Sequence, residues 1–294
     1  MWKINCLKTE KPKYMKFLRL GSKGKEIPAI VDSENNYRDL SSLIDDFKPI
    51  NLNFDTINKI NNLDISKLPI ISKDQRIGSC INKPGKFIAI GLNYSDHAKE
   101  TGAKTPTEPI VFMKATSSIC GPNDEIEIPK GSTKLDWEVE LAFVVGKEVK
   151  NISEQDAPKH ILGYCIVNDV SEREWQIEKL GQWTKGKSGD TFGPTGPYLV
   201  TKEEINDINN LNLTTKINDK TMQSGNTKNM IFNTNFILSY LSKFMSLQPG
   251  DLITTGTPAG VGMGMKPQVF LKSGDILKLT IDSLGEQTSK AVSK

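Results

Sequence analysis

The residues best placed to do chemistry are two carboxylates separated by one apolar residue, Glu138 and Glu140, inside Lys134-Leu-Asp-Trp-Glu-Val-Glu-Leu-Ala-Phe-Val-Val145. If 135–145 is a strand, Trp137, Val139, Leu141, Phe143 and Val145 share one face, and Asp136, Glu138, Glu140 and Ala142 share the other. The two glutamates then stand about 6.7 Å apart, Cα to Cα. Like charges side by side are costly to bury unless a cation neutralises them. An all-oxygen ligand set suits Mg²⁺, Mn²⁺ or Ca²⁺ better than Zn²⁺. The same alternation also fits a half-exposed strand whose polar face carries acids. Asp169 closes the apolar run Ile166-Val-Asn-Asp-Val170, and a strand end is a natural place from which to project a third ligand.

Proton transfer has two candidates, since His97 and His160 are the only histidines. His97 and Glu100 stand three apart in Gly91-Leu-Asn-Tyr-Ser-Asp-His-Ala-Lys-Glu-Thr-Gly102. On a helical turn that carboxylate would orient the imidazole, as a general base needs, although such a spacing is also common by chance. His160, in the helical-looking stretch 154–162, reads as a surface or packing residue. Arg173 and Gln176, one helical turn apart, suit a clamp on a carboxylate or carbonyl. Lys187, just before a Gly- and Pro-punctuated turn, suits an electrostatic clamp on an oxyanion. Each of these also fits a solvated charge. The glycine-rich stretch 255–264 lacks the G-K-[ST] ending and following helix of a phosphate loop, and fits either a ligand-facing loop or a plain surface loop.

The elements that must position these residues read as many short strands, at 87–92, 110–114, 126–128, 139–145, 163–167, 196–200, 211–217, 251–255 and 276–281. Helices are few, at 40–47, 153–161, 171–180, 201–205 and 233–245. This pattern favours a mainly β, α+β chain over a doubly wound sheet. The chain divides into a possible unordered extension 1–14, a small accessory domain 15–80 and a catalytic domain 81–294. Lys and Arg total 38 against 35 Asp and Glu, and the net charge of +3 gives no electrostatic case for nucleic acid or a membrane surface. Cys6, Cys80, Cys120 and Cys165 form no paired motif, and no apolar run approaches a membrane span; a reducing, cytoplasmic setting is expected.

Six motifs in order across 86–282 are more specific than any one alone: Gly91-x-Asn-Tyr-x-x-His97-x-x-Glu100, Phe112-Met-Lys114, Asp136-x-Glu138-x-Glu140, Asn168-Asp169-x-x-x-Arg173-x-x-Gln176, Lys187-x-x-Asp-Thr-Phe-Gly-Pro-x-Gly-Pro197 and Thr255-Gly-Thr-Pro258. Together they resemble the fumarylacetoacetate hydrolase family. The resemblance implies a mixed β-sheet roll, a homodimer, and Mg²⁺ or Mn²⁺ held by Glu138, Glu140 and Asp169. It makes His97 and Glu100 a water-activating dyad on a mobile lid at 93–105, with Lys187 stabilising charge. Lys114, Arg173, Gln176 and Thr257 fall at substrate-contacting positions. The implied reaction is hydrolysis of a 2,4-diketo acid to pyruvate and a second small acid through a metal-stabilised enolate. The 112–124, 181–183 and 186–188 segments are similar to the bacterial subgroup associated with 2,4-diketo-3-deoxy sugar acids, whose members are also labelled ureidoglycolate lyase. Alternatives are that C–N lyase activity, oxaloacetate decarboxylation, diene-dioate isomerisation, or a non-enzymatic small-acid binding protein.

Overall fold

Val139–Val145 puts Val139, Leu141, Phe143 and Val145 on one face and Glu140, Ala142 and Val144 on the other, and a run this apolar needs cover on both faces. In the computed structural model, which describes residues 15–102 and 104–293, this strand lies inside a ten-stranded sheet and every one of its residues is buried. The half-exposed alternative is thereby corrected. The odd-numbered face, with Trp137, packs in the larger core against Leu213, Leu277 and Ile281; Ala142 and Val144 on the other face pack with Phe17, Phe47 and Leu162.

Across that sheet the strands run in the order Ile70–Ile71, Tyr37–Asp39, Ile27–Val31, Lys16–Leu20, Leu199–Thr201, Ile161–Asn168, Val139–Val145, Leu252–Thr254, Phe87–Gly91 and Ile110–Met113. All neighbours are antiparallel except Leu252–Thr254 with Phe87–Gly91. A second sheet of five strands orders Lys220–Asn226, Asn212–Ile217, Ile276–Ile281, Gly285–Ser293 and Ile126–Ile128, the last pair parallel. Both sheets are mixed, as a predominantly β, α+β roll requires. The segment expected as an accessory domain supplies the four strands at one edge of the larger sheet, where Lys16–Leu20 pairs with Leu199–Thr201. The expected extension 1–14 lies outside the described residues. No described helix is long and apolar enough to cross a membrane.

Helices are fewer and shorter than their expected spans. Thr234–Ser242 starts where Asn233 accepts a hydrogen bond from the Phe236 amide at 2.9 Å, inside the expected 233–245. The expected helix at 171–180 is instead a short strand, Ser171–Glu172, followed by a single wide turn over Glu174–Glu178. The 153–161 and 201–205 spans reduce to one-turn pieces, Ala157–Lys159 and Lys202–Glu204, and 40–47 forms turns. Phe54–Asn61 is a helix outside the expected spans; Asn53 caps it, and Ile57 and Ile60 are its buried anchors.

The helix that matters most to the site is Ser95–Thr101, closed by Gly102 in the left-handed conformation at φ +68°. Its entry is fixed by fully buried Asn93, whose amide donates to Phe232 O at 2.9 Å and Thr255 O at 2.7 Å while its carbonyl accepts from the Phe232 amide at 2.8 Å. Asn93→Ala leaves one buried and two partly buried backbone groups without these partners and should lower the unfolding free energy by about 3 kcal/mol. Urea denaturation checks this, and a loss under about 1 kcal/mol would show that the clamp does not hold the helix.

Candidate active site

The central strand pair brings the acids together. Val139 lies opposite Asn168, Asn168 Oδ1 accepts from the Glu138 amide at 3.1 Å, and the Asp169 amide donates to Glu138 O at 2.9 Å. Just upstream the chain leaves the large sheet, and Leu135–Asp136 pairs instead with Ser171–Glu172. Glu138 therefore sits at a break in the ladder. Oxygens of Glu138, Glu140 and Asp169 fall within 4.8 Å of one another, and all three residues are buried.

The glycine-rich stretch explains how this density of negative charge is tolerated. Its amides bind carboxylates of the protein itself: Gly256 N–H donates to Glu140 at 2.9 Å, Gly260 N–H to Glu100 at 2.9 and 3.1 Å, Gly262 N–H to Asp136 at 2.7 Å, and Met263 N–H to Asp136 at 2.9 Å. A side chain at Gly260, where φ is +105°, would place Cβ 2.0 Å from Met222 O, so only glycine permits this approach. Thr257 Oγ1 donates to Val139 O and accepts from Gln223 Nε2, at 2.9 and 2.8 Å, locking the loop to the central strand.

Three buried cations complete the arrangement. Lys187 Nζ lies 2.8 Å from Glu138 and 2.7 Å from Asp169. Lys114 Nζ donates to Asp169 at 2.5 Å and to the Lys187 carbonyl. Arg173 pairs with Asp136 and Glu138, each at 2.8 Å, and donates to Gln176 Oε1 at 2.9 Å. Burial pushes the Glu138 carboxyl up, but Lys187 and Arg173 outweigh it and hold it well below the usual carboxylate range. Glu140 goes the other way: burial, then the nearby Asp169 and Glu138 charges, raise it well above that range. Burial would lower Lys187, yet Asp169 and Glu138 outweigh it and keep the ammonium charged.

This donor set fits a hard divalent cation. Three buried carboxylates converge, and Glu140, with no cation in hydrogen-bonding contact, is the one left uncompensated. Glu138, Glu140 and Asp169 are the residues that would hold the ion.

A cavity of about 180 Å³ opens beside the cluster, lined by His97, Glu138, Glu140, Arg173, Gln176 and Lys187 among others. His97 is buried on the Ser95–Thr101 helix with Nδ1 3.3 Å from Glu100. Glu100 itself borders the neighbouring surface cleft. Of the expected substrate contacts, Thr257 lines the cavity with its hydroxyl engaged by Val139 and Gln223, whereas Lys114 does not line it but stands behind Asp169. His160 is remote from the site and near the Lys147 carbonyl at 3.4 Å. Asp136, missed as a functional residue, anchors Arg173 and two loop amides; its place on the same strand face as Glu138 was the available signal. Trp183, in the cavity wall, lies in the 181–183 segment that the resemblance singled out without giving it a role.

Comparisons place this geometry in a known context. The family described as "Fumarylacetoacetate (FAA) hydrolase C-terminal" matches residues 86–292. A Burkholderia ambifaria protein named "Putative hydrolase" is 53% identical over 274 residues, which is 93% of this chain and 97% of that one. The solved fumarylacetoacetate hydrolase of psychrophilic Exiguobacterium antarcticum superposes with a TM-score of 0.84 at 33% identity, over 95% of this chain and 100% of the other. A probable 2-hydroxyhepta-2,4-diene-1,7-dioate isomerase from Mycobacterium abscessus gives a TM-score of 0.81 at 27% identity, over 96% and 99% of the two chains.

Two measurements probe the carboxylate cluster. Glu138→Gln should weaken Mn²⁺ binding by more than the ~10–100-fold typical of losing a supporting partner; unchanged affinity would remove the metal assignment. Because Glu140 keeps its proton to higher pH than an ordinary carboxyl, Mn²⁺ must displace that proton. Affinity should therefore rise with pH until the raised Glu140 value is passed. Calorimetry in buffers of different ionisation enthalpy should show release of about one proton in the acidic range, and none if Glu140 is already ionised there.

Proposed function

The chain belongs to the fumarylacetoacetate hydrolase family, and from that membership we propose that it cleaves the C3–C4 bond of a 2,4-diketo acid with water, giving pyruvate and a second small acid. One observation carries this reading: His97, partnered by Glu100, borders the same cavity as the acidic cluster and Lys187. A water-activating base beside an electron-withdrawing centre is what hydrolysis of a carbon–carbon bond needs, whereas decarboxylation or isomerisation needs no activated water.

With Nδ1 directed to Glu100, the His97 lone pair that accepts a proton is on Nε2. His97 takes a proton from water as the oxygen attacks C4. The C3–C4 bond then breaks, its electron pair passes into the enolate of pyruvate, and the imidazolium returns its proton to C3. Lys187 and Arg173, both lining the cavity, supply positive charge and donors for the keto-acid carboxylate and the C2 oxygen, where negative charge develops. Glu138, Glu140 and Asp169 would hold a divalent ion, Mg²⁺ or Mn²⁺ by the all-oxygen set, which would supply Lewis acidity when bound. Glu100 fixes the imidazole and, through Gly260, ties the His97 helix to the glycine loop, which keeps bulk water out of the closed site.

His97→Ala should cut pyruvate release from an acylpyruvate panel by roughly 10²–10⁴-fold while Mn²⁺ affinity is retained. Persistent hydrolysis in that variant would exclude the assigned base. Glyoxylate release from ureidoglycolate, with no pyruvate from any acylpyruvate, would replace hydrolysis with C–N lyase activity.

A further inference from the structure

We propose that Gln223 is a positioning residue for the reaction: its side chain holds the glycine-rich stretch 255–264 against Val139 and, through that stretch, sets both Glu140 and His97; this deepens the reading above and rests on it. Val139 separates Glu138 from Glu140 on the central strand, and on one side of it the ladder has run out. Leu252–Thr254 pairs only with Ala142–Val144. Beyond that pairing the Thr255 amide and hydroxyl donate to Leu141 O at 3.0 and 2.9 Å. Val139 is met on the same side by Thr257 Oγ1, which donates to its carbonyl at 2.9 Å, and by Gln223 Oε1, which accepts from its amide at 3.1 Å. Two side chains stand where a neighbouring strand would, and without them a buried N–H and C=O between two acids of the cluster lose these partners.

Gln223 is fully buried on Lys220–Asn226, opposite Thr215, and its contacts have a fixed polarity. Its Oε1 faces two donors, the Val139 amide and Thr215 Oγ1 at 2.8 Å; its Nε2 faces two acceptors, Thr257 Oγ1 at 2.8 Å and Pro258 O at 2.9 Å. The Thr257 hydroxyl gives its one proton to Val139 O, so toward Gln223 it can only accept. A carboxylate would supply no donor to Thr257 or Pro258, and an aliphatic chain would supply nothing at either end; a primary amide of this length satisfies both. The same strand leaves the glycine-rich stretch no slack. A Cβ on Gly225 would fall 2.4 Å from Pro258, and one on Gly260 would fall 2.0 Å from Met222 O and 2.9 Å from Gln223 Cα. From the stretch so placed, the Gly256 amide reaches Glu140, and the Gly260 amide reaches Glu100, the carboxylate beside His97. Gln223 does not line the cavity, so it acts on the acid and the base through these amides.

Gln223→Met keeps the length of the side chain and removes all of these hydrogen bonds. Calorimetry should show its Mn²⁺ affinity lowered by roughly 10–100-fold, the range for losing a residue that orients a ligand. His97 and His160 are the only histidines and His160 is remote from the site, so the imidazole nitrogen signals of the metal-free protein report the base with an internal reference. In Gln223→Met the His97 signals should move as Glu100 shifts, and those of His160 should stay. Thr215→Val is the control: it removes one contact of the same amide, made neither to the central strand nor to the glycine-rich stretch, and should lower stability in urea while leaving both readouts as in the native chain. An Mn²⁺ affinity within about twofold of the native value, or unmoved His97 signals, overturns the inference and leaves Gln223 a core hydrogen-bonding residue only. An equal loss in Thr215→Val overturns it as well. If Gln223→Met does not fold, Gln223→Glu, which retains the two acceptor contacts and loses the two donor contacts, takes its place in the same comparison. Pyruvate release is measured in parallel. Failure of the native chain to cleave any acylpyruvate removes the proposed hydrolysis, and the metal affinity and imidazole signals still decide the role of Gln223.

Discussion

Mutual repulsion among buried carboxylates is the constraint to which the centre of this protein answers. At the 4.8 Å that bounds the Glu138, Glu140 and Asp169 oxygens, two unit charges repel by about 3.5 kcal/mol at an effective dielectric constant near 20. Three such pairs would consume much of a typical domain's stability. The protein offsets this in two ways. Lys187 and Arg173 share Glu138, Lys114 and Lys187 share Asp169, and the Gly256 amide donates to Glu140. Glu140 alone has an amide and no cation in contact, so the need for a further positive charge is concentrated there.

The amides come from one stretch, and that has structural consequences. A loop can aim successive N–H groups at carboxylates only where its backbone approaches other chain segments closely, which is why Gly260 and Gly262 have no room for a side chain. The same stretch holds Glu140 and Asp136 on the sheet and Glu100 on the helix that carries His97. The base and the acidic cluster are thus registered against a single piece of backbone. Displacing the helix breaks the Glu100 contacts with Gly260 and leaves the sheet-borne acids in place.

Much of this was legible from the sequence where a short-range rule applied. The alternation through 137–145 assigned the apolar face correctly, and Ile276–Ile281 and Ile126–Ile128 coincide with their expected spans. The spacing of His97 and Glu100 placed both on one helical turn. Long-range facts were not legible. That the acidic face is buried depends on the strands at either side and on Lys187 and Lys114, which lie 49 positions from Glu138 and 55 from Asp169 in sequence, contacts no local pattern encodes. Lys220–Asn226 and Gly285–Ser293 escaped notice because both are polar and alternate weakly; they are strands through pairing with Asn212–Ile217 and Ile276–Ile281. Lys114 and Thr257 carry motif positions, yet their polar atoms face inward to Asp169 and Val139, which only the folded arrangement determines.

Where the chemistry is set within the fold follows from how each part is held. The acids lie on strands buried on both faces, and the solved relatives that share this fold are named for hydrolysis and for isomerisation, so the sheet by itself does not select a reaction. His97 instead rides on a seven-residue helix joined to the core at Asn93 and Glu100. A few contacts on that helix decide whether the imidazole stands beside the acidic cluster. The wall formed by Trp183 and Phe112 is likewise independent of the acids, since it rests on an aromatic contact and on the absence of a side chain at Gly91. The acidic cluster therefore belongs to the buried sheet, while His97 and the aromatic wall belong to elements that can change without disturbing it.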